Sequence, residues 1–344
     1  MKQLKFVILF LLVILSLIAG FLSDYTFVLS ALISLLVFNV VQLFIKSENR
    51  VLKLKFLGIS FLSFVVFYHI GLLVKTNLSP VCYEGLPKNF KDSKFNLRPI
   101  DLNVLEQRIA AFSDFKTDTL TQVKFDSSVF YIKKLTSNNK PEDKKKILIV
   151  AGTHGSETAN VYAIPVILEH IKSQKLLADF HFEIIYALNP VGLSLFHRYN
   201  ECNCNINRDF LSFKTVQAQI LRDLLTEKKF DCVLDLHEGP YAGQYIINNT
   251  SYKNLDKAIV SDLNQKKIQV SPMLKNRLKD FIFQYEMDNP IAKLKKISTF
   301  DIYLKSKGIE NILSESDGLF KDFEKRIQGH VVVFDKLIEA SMSR

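Results

Sequence analysis

The sequence predicts an α/β sandwich with a mixed sheet, preceded by three transmembrane helices. Three observations lead to this fold class. Long apolar stretches lie within the first 75 residues, strand-like and helix-like segments alternate over residues 129–341, and the residues best suited to metal chemistry follow predicted strands. Because open α/β sheets bind ligands at the carboxyl ends of their strands, the third observation also predicts where the functional site lies.

The three apolar stretches cover residues 6–22, 25–45 and 56–74, and none contains Asp, Glu, Lys or Arg. Each has about the 17 to 25 residues that are needed to cross a hydrocarbon core. They are apolar on every face, which disfavours the alternative of buried helices in a soluble protein. We therefore expect a transmembrane region over residues 1–75, with the lipid bilayer as a partner.

The basic residues around these stretches predict the orientation. Lys2 and Lys5 precede the first stretch, and four Lys or Arg residues fall between positions 46 and 55. The positive-inside rule places both regions in the cytoplasm, so three crossings of the inner membrane deliver the rest of the chain to the extracytoplasmic side. If residues 6–22 are instead a cleaved signal sequence, the outcome is the same.

The net charge of +10 does not predict a nucleic-acid partner. Residues 1–75 hold seven Lys or Arg against two Asp or Glu, so about half of the excess belongs to the membrane topology. The basic runs in the remainder are expected to be solvated surfaces or element ends.

The four cysteines permit disulfide bonds in an exported domain. Cys202 and Cys204 are too close in sequence to pair comfortably with each other, and either can pair with Cys82. Cys232 lies in an apolar strand and is expected to be a buried thiol. A metal site at the Cys-x-Cys pair would lack a second pair at suitable spacing.

A linker rich in Pro, Asn and Lys covers residues 76–100, and a single catalytic domain is expected over residues 101–344. Strands are predicted at residues 129–135, 147–151, 182–188, 230–236 and 310–314. Helices are predicted at residues 157–173, 215–226, 255–264, 300–306 and 323–341. Alternation at this spacing indicates an α/β sandwich with a largely parallel or mixed sheet.

Two of these strands lead into candidate metal ligands. His154 and Glu157 stand three residues apart in a turn after strand 147–151, and His237 follows strand 230–236. Two histidines and one glutamate are the usual protein ligands of a catalytic zinc. The alternative is an ordinary turn in which Ser156 caps the next helix and His154 is a surface residue. The remaining histidines do not follow strands and are expected to be structural or exposed.

Candidate anion-binding residues lie between these ligands. Arg198 is suited to stabilising the oxyanion of a tetrahedral intermediate. Asn207 and Arg208 form a pair whose donors match a carboxylate. The alternative for Arg208 is a structural ion pair with Asp209.

The ordered motifs His-x-x-Glu, Asn-Pro-x-Gly, Arg, Asn-Arg and Asp-Leu-His resemble the zinc carboxypeptidase superfamily over roughly residues 145–340. Its short branch includes the murein peptide amidases and, more distantly, the succinylglutamate desuccinylase and aspartoacylase group. The resemblance implies a three-layer α/β/α sandwich that binds one Zn2+ through His154, Glu157 and His237.

The resemblance also implies roles for four further residues. Arg198 matches the arginine that polarises the carbonyl, and Asn207 with Arg208 matches the pair that binds a carboxylate. Glu315, after the strand at 310–314, matches the glutamate that acts as general base. From the residues alone this assignment is open, because Glu310 and Asp317 lie near the same strand.

The chain departs from the family pattern at three positions. Val191 replaces the Asp of Asn-Pro-Asp-Gly, and Asp209 follows Arg208 where Asn is usual. Asn205 stands where an Asp usually orients the first zinc histidine, and an amide there accepts a hydrogen bond without supplying charge. A substrate-binding tyrosine is not assigned by the motifs; Tyr241, Tyr245 and Tyr303 are candidates.

Three functions follow from these expectations. The leading hypothesis is a membrane-anchored, extracytoplasmic zinc carboxypeptidase or peptide amidase that acts on cell-wall peptides. The second is a deacylase of N-acyl amino acids of the desuccinylase type, against which only 29 residues follow Glu315, too few for the additional β domain of many such enzymes. The third is a catalytically silent sensor that binds peptide.

Overall fold

The computed structural model describes residues 81–84, 100–274 and 290–343, together with Val66. The chain divides into two compact units, one of Met1–Pro80 with Ile282–Lys295 and the other of Val81–Phe281 with Lys296–Arg344. In the described parts of the chain, no helix has the length and apolar character needed to cross a bilayer. Apart from Val66, the three predicted transmembrane stretches lie outside the described residues.

Seven strands lie in the described residues of the second unit. They are β1 (Phe115–Phe125), β2 (Ser128–Ser137), β3 (Lys145–Val150), β4 (Phe180–Ile185), β5 (Cys232–Gly239), β6 (Tyr245–Asn248) and β7 (Asn311–Asp317). The helices that follow one another along the described chain are α1 (Leu102–Ala110), α2 (Thr158–Ser173), α3 (Pro190–Leu195), α4 (Val216–Glu227), α5 (Leu255–Gln265), α6 (Pro290–Leu294), α7 (Phe300–Ser306) and α8 (Phe323–Met342). Helix α6 falls in the first unit and the others in the second.

The strands form one mixed sheet in the order β1-β2-β4-β3-β5-β7-β6. Neighbours β4, β3, β5 and β7 run parallel, whereas β1, β2 and β6 join antiparallel at the two edges. The predicted mixed α/β sheet is therefore confirmed. Because the central strands are parallel, their carboxyl ends meet at one edge, where β3, β5 and β7 deliver their polar residues.

The central strands are buried on both faces. In β3, Ile147 and Ile149 pack in a core with helices α2, α5 and α8, whereas Leu148 and Val150 pack in a second core with α4 and α7. Alternate residues of a strand point to opposite faces, so helices cover both sides of the sheet. This double burial explains the continuous apolar run of β3 over residues 147–150.

Several elements differ from the sequence prediction. Helix α1 and strands β1 and β6 were not predicted, and β5 continues to Gly239, so that His237 lies within the strand and not after it. Of the two disulfide pairings left open, the structure contains Cys82–Cys204, with Cys202 an exposed thiol. Cys232 is a buried thiol, as expected.

Candidate metal centre

Three candidate ligands converge at the carboxyl edge of the sheet. His154, Glu157 and His237 each offer one ligand atom, and these atoms lie within 4.8 Å of one another. The Nδ1 atom of His154 is 2.6 Å from Glu157 Oε1, and Nδ1 of His237 is 2.9 Å from Glu157 Oε2. Each of the three residues is only 1% exposed. The interpretation of His154 as a surface residue is therefore wrong.

Acceptors hold the opposite nitrogen of each imidazole. His154 Nε2 is 3.0 Å from Asn205 Oδ1, and His237 Nε2 is 3.1 Å from Asp235 Oδ2. An acceptor at Nε2 keeps the proton on that nitrogen and leaves Nδ1 to bind a metal, the arrangement found around metal-binding histidines. The donor set and its surroundings therefore fit a zinc ion.

The turn that carries His154 and Glu157 is fixed by close backbone approach. A Cβ atom at Gly155 would lie 1.8 Å from the carbonyl carbon of Gly192, so only glycine fits at this position. Gly192 itself donates its N–H to Asn189 Oδ1 at 2.9 Å. The Asn-Pro-x-Gly motif thus supports the turn by packing against it. Glu157, and not Ser156, occupies the N-cap position of α2, and the Glu157 side chain makes no capping bond there.

The charge states of His154 and Glu157 suit a metal. Burial and the neighbouring Arg198 lower the pKa of His154 to about 3, which keeps this ring in the neutral form that binds metals. Burial alone would raise the pKa of Glu157, but His154 and His237 hold it well below its usual range. Burial opposes protonation of His237, yet Asp235 and Glu157 raise its pKa well above the usual value. Metal binding at this position would release that proton.

Glu315 faces the same centre from the neighbouring strand. It is the register partner of His237 across β5 and β7, and it is only 9% exposed. Burial raises the pKa of Glu315 to about 8. The competing acids lie elsewhere: Glu310 Oε1 accepts from Ser251 N at 3.2 Å, and Asp317 Oδ1 accepts from Leu319 N at 3.0 Å. Of these three acids, only Glu315 pairs with a candidate ligand.

Two arginines contribute positive charge. Arg198 Nη1 is 3.0 Å from Glu157 Oε1, and its side chain is 19% exposed. Burial and the charge of Arg198 lower the pKa of Arg208 to about 10, so Arg208 stays protonated at neutral pH. Tyr241, Asp301 and Glu315 are among the titratable neighbours that oppose this lowering of the pKa, so the guanidinium of Arg208 lies near Glu315. Both predicted arginines therefore belong to the surroundings of the metal cluster.

The residues beside Arg208 are engaged in the fold. Asn207 Oδ1 accepts from Phe300 N at 2.9 Å at the start of α7. The side-chain nitrogen of Asn207 is therefore the atom that would bind a carboxylate. The Asp209 carboxylate accepts from Thr215 N at 2.6 Å and from Ser212 Oγ at 2.5 Å, and thereby holds the start of α4. Asp209, which departs from the family pattern, therefore stabilises the turn before α4.

One tyrosine candidate stands beside the predicted base. The Tyr241 ring packs on Gly239, where Glu315 Oε2 also lies. Tyr245 is fully buried beneath it, with ring centroids 5.3 Å apart. Tyr303 packs against Phe210 in the second core. Tyr241 is thus the tyrosine of the three that borders both Glu315 and the open end of β5.

Two supporting acids were missed from the sequence. Asp235 lies two residues before His237, and the two-residue period of a strand places both on one face, a signal that was available. Glu238 is 2% exposed, accepts from Ala159 N at 2.8 Å and from Arg326 Nε at 2.7 Å, and so ties β5 to α2 and α8. Its backbone N–H also donates to Glu157 Oε2 at 3.0 Å.

The other four histidines that the structure describes are not among the candidate ligands, as expected. His170 contacts Asp335, His181 contacts Ser137, His197 accepts from Tyr199 N, and His330 contacts Ser314.

Comparison with known proteins finds similarity to the groups that the motifs resemble. Residues 143–265 match the family model described as the succinylglutamate desuccinylase/aspartoacylase catalytic domain. The resemblance to the zinc carboxypeptidase superfamily is confirmed. The desuccinylase/aspartoacylase match includes all three candidate ligands and both arginines, and it ends before Glu315.

Two solved structures share the fold of this chain. A metallopeptidase candidate from Shewanella denitrificans OS217 has a TM-score of 0.57 at 20% identity, covering 73% of this chain and 98% of that one. A metallo-carboxypeptidase from Burkholderia cenocepacia has a TM-score of 0.55 at 15% identity, covering 72% of this chain and 70% of that one. These likenesses establish the fold.

A curated relative is Carboxypeptidase 2 of Trichophyton rubrum, 25% identical over 138 residues. The match covers 35% of this chain and 26% of the relative, so the chain spans about a quarter of the length of that protein.

Proposed function

We propose that this chain is a zinc-dependent hydrolase that cleaves a peptide or amide bond beside a free carboxylate. The observation that carries the proposal is the cluster of His154, Glu157 and His237, whose ligand atoms lie within 4.8 Å of one another. The acceptors on both imidazoles, Asn205 and Asp235, support it because they present Nδ1 to a common point.

The surrounding residues supply the remaining chemistry. Bound at the cluster, zinc would lower the pKa of a water ligand and polarise a carbonyl. Glu315, buried on the adjacent strand, would take the proton from the attacking water and return it to the leaving amine. Arg198, which contacts Glu157, would stabilise the oxyanion. Arg208, with the amide of Asn207, would bind the carboxylate of the substrate.

The proposed substrate is a peptide whose scissile bond lies next to its terminal carboxylate. A carboxypeptidase fold supports a peptide substrate, and a metallo-carboxypeptidase from Pseudomonas aeruginosa with this fold was solved with (2-guanidinoethylmercapto)succinic acid, a dicarboxylic compound. A half-buried arginine that stays protonated at neutral pH suits such a ligand. Cell-wall peptides are the proposed class.

We further propose that the enzyme acts outside the cytoplasm and is anchored in the inner membrane. The apolar stretches at residues 6–22, 25–45 and 56–74 and the basic residues that flank them support this location. The Cys82–Cys204 disulfide also supports it, because disulfides persist in oxidising compartments.

The second candidate function is deacylation of N-acyl amino acids. The family model that matches residues 143–265 describes enzymes of that kind. Such substrates also present a carboxylate beside an amide, so the same residues would serve either reaction.

One experiment separates these functions. The full-length chain is purified in detergent and offered muropeptides beside N-succinyl and N-acetyl amino acids, with and without a chelator. Chelator-sensitive release of a C-terminal residue or of diaminopimelate supports the peptidase, and release of succinate or acetate supports the deacylase. Absence of turnover by the zinc-loaded chain would contradict both and favour a silent sensor.

A further inference from the structure

A short N-terminal segment lies against the loop that supports the metal centre. Residues 81–83, called the strap below, run antiparallel to residues 203–205. Tyr83 N donates to Asn203 O at 3.2 Å, and Asn205 N donates to Val81 O at 2.7 Å. Between these two hydrogen bonds, a disulfide joins Cys82 to Cys204 across 122 residues of sequence.

The strap is bonded to the residue that orients a candidate ligand. The backbone N–H of Asn205 donates to Val81 O in the strap, and the side-chain Oδ1 of Asn205 lies 3.0 Å from His154 Nε2. Asn205 is 9% exposed and the adjacent Cys204 is 4% exposed, so the loop side of the junction is buried, whereas Cys82 of the strap is half-buried. A change in the position of the strap would therefore reach the imidazole through one side chain.

The chemistry of Asn205 makes its placement important. A carboxylate attracts an imidazole N–H by charge over several ångströms, whereas a neutral amide depends on one directional hydrogen bond. Such a bond weakens steeply when its angle falls towards about 120°. From the other side, Asn200 Oδ1 accepts from Cys204 N at 2.9 Å and from Cys202 N at 3.0 Å. The loop is thus clamped between Asn200 and the strap.

We propose that the strap is a positioning element for the metal centre: locked by Cys82–Cys204, it holds Asn205 on His154 and so sets the affinity of the protein for zinc. The proposal rests on the proposed function in one respect, which is that the cluster binds zinc. It adds that residues far upstream of the catalytic motifs control this binding.

The test measures the zinc dissociation constant of the full-length chain by competition with a chromophoric chelator. Removing an outer-shell partner of a metal ligand weakens binding by about 10- to 100-fold, which is the expectation for Asn205→Ala. Cys82→Ser is expected to weaken binding by about tenfold, the lower end of that range, because it loosens Asn205 without removing it. Cys202→Ser is the matched control: it removes an exposed thiol of the same loop, keeps the disulfide, and is expected to bind zinc as the wild type does.

A double variant distinguishes positioning from general destabilisation. If the strap acts through Asn205, Cys82→Ser adds no further loss to Asn205→Ala. Asn205→Asp in the Cys82→Ser background is expected to restore the affinity for zinc, because the interaction of a charged acceptor with the imidazole depends less on its orientation. Losses that multiply in the double variant, or zinc binding by Cys82→Ser that equals the wild type, would overturn the proposal.

A second measurement starts from the folded wild-type chain, in case Cys82→Ser does not fold. Dithiothreitol reduces the disulfide: the reagent closes to its cyclic disulfide as Cys82 and Cys204 each gain one electron and one proton. After removal of the reagent without air, affinity is expected to fall about tenfold and to return on reoxidation. A zinc affinity that does not change on reduction would contradict only the proposal about the strap. A wild-type chain that binds no zinc would contradict the proposed function itself.

Discussion

Gly239→Ala is expected to disable the site without removing its metal. Gly239 ends β5 two residues beyond His237, and its missing side chain leaves room for the Tyr241 ring and the Glu315 carboxylate. A Cβ atom at this position would lie 2.1 Å from Tyr241 Cε2, 2.5 Å from Tyr241 Cδ2 and 2.9 Å from Glu315 Oε2. The tyrosine ring and the carboxylate must therefore both move.

The size of the effect follows from these distances. Non-bonded carbon atoms pack at about 3.5 to 4.0 Å, so relieving the contact requires a shift of about 1.4 Å or more. A displacement of about 1 Å in an active site lowers the rate on the order of a hundredfold. We expect kcat/KM to fall by about that factor. The zinc dissociation constant is expected to stay near the wild-type value, because the three atoms nearest to the added Cβ belong to Tyr241 and Glu315 and not to a candidate ligand.

The assay combines hydrolysis of the best substrate with zinc competition and thermal unfolding. Gly308→Ala is the control, because nothing lies within 4 Å of the added Cβ atom while the backbone φ of +68° disfavours alanine. It is expected to lose about 1 to 2 kcal/mol of stability and no activity. Full turnover by Gly239→Ala would refute the placement of Glu315, and a parallel loss of zinc would refute the separation of the two effects.

Three further predictions address the base, the carboxylate site and a buried ion cluster. Glu315→Gln should abolish turnover while metal analysis finds zinc still bound, and residual turnover near the wild-type rate would exclude Glu315 as the base. Arg208→Ala should raise KM by about 10- to 100-fold for substrates with a free carboxylate, whereas amidated substrates should be hydrolysed alike by both proteins. Burial would raise the pKa of Glu183, but contacts with Lys134 and Lys228 hold it below its usual value. A carboxylate with a lowered pKa stabilises the fold at pH values above its unfolded pKa, near 4.5, and this stabilisation is lost as the pH falls through its folded pKa. In denaturant titrations, the wild type should therefore be more stable than Glu183→Gln at pH 7, and the difference in stability should shrink below about pH 4. A difference in stability that does not change with pH would contradict this prediction.

The sequence predicted the central part of the fold because burial there is two-sided. β3 contains an apolar run of four residues, β5 and β7 contain the shorter apolar segments 232–234 and 312–313, and α2 and α8 have long buried faces. β1 escaped prediction because it lies at the edge of the sheet, where Val123 is its one buried residue. α1 was missed although Asp101 caps it and Leu105 and Ile109 are buried four residues apart, a signal present in the sequence.

The end of β5 was misplaced for a different physical reason. His237 and Glu238 are polar and read as the start of a loop, yet both are buried within the strand. Contacts with Glu157, Asp235 and Arg326 compensate for the burial of these groups. The polar residues therefore led to a predicted strand end before His237, although the site residues lie inside the strand.

The sequence revealed candidate site residues that lie close together along the chain. Contacts between residues that are far apart in sequence became visible only in the structure. The turn of His154 and Glu157 is a short motif, whereas the strap contacts its loop across 122 residues of sequence. No periodicity in the chain indicates which of Cys202 and Cys204 pairs with Cys82. That choice depends on the antiparallel bridge at Cys204.

The central claim is that His154, Glu157 and His237 form a catalytic zinc centre. The most direct measurement is the metal content of the full-length chain by mass spectrometry, joined to turnover before and after chelation. One zinc ion per chain is expected, with turnover lost on chelation, restored by added zinc, and absent from His237→Ala together with its metal. A chain that contains no zinc, or one that hydrolyses its substrate equally well after complete chelation, would contradict the assignment.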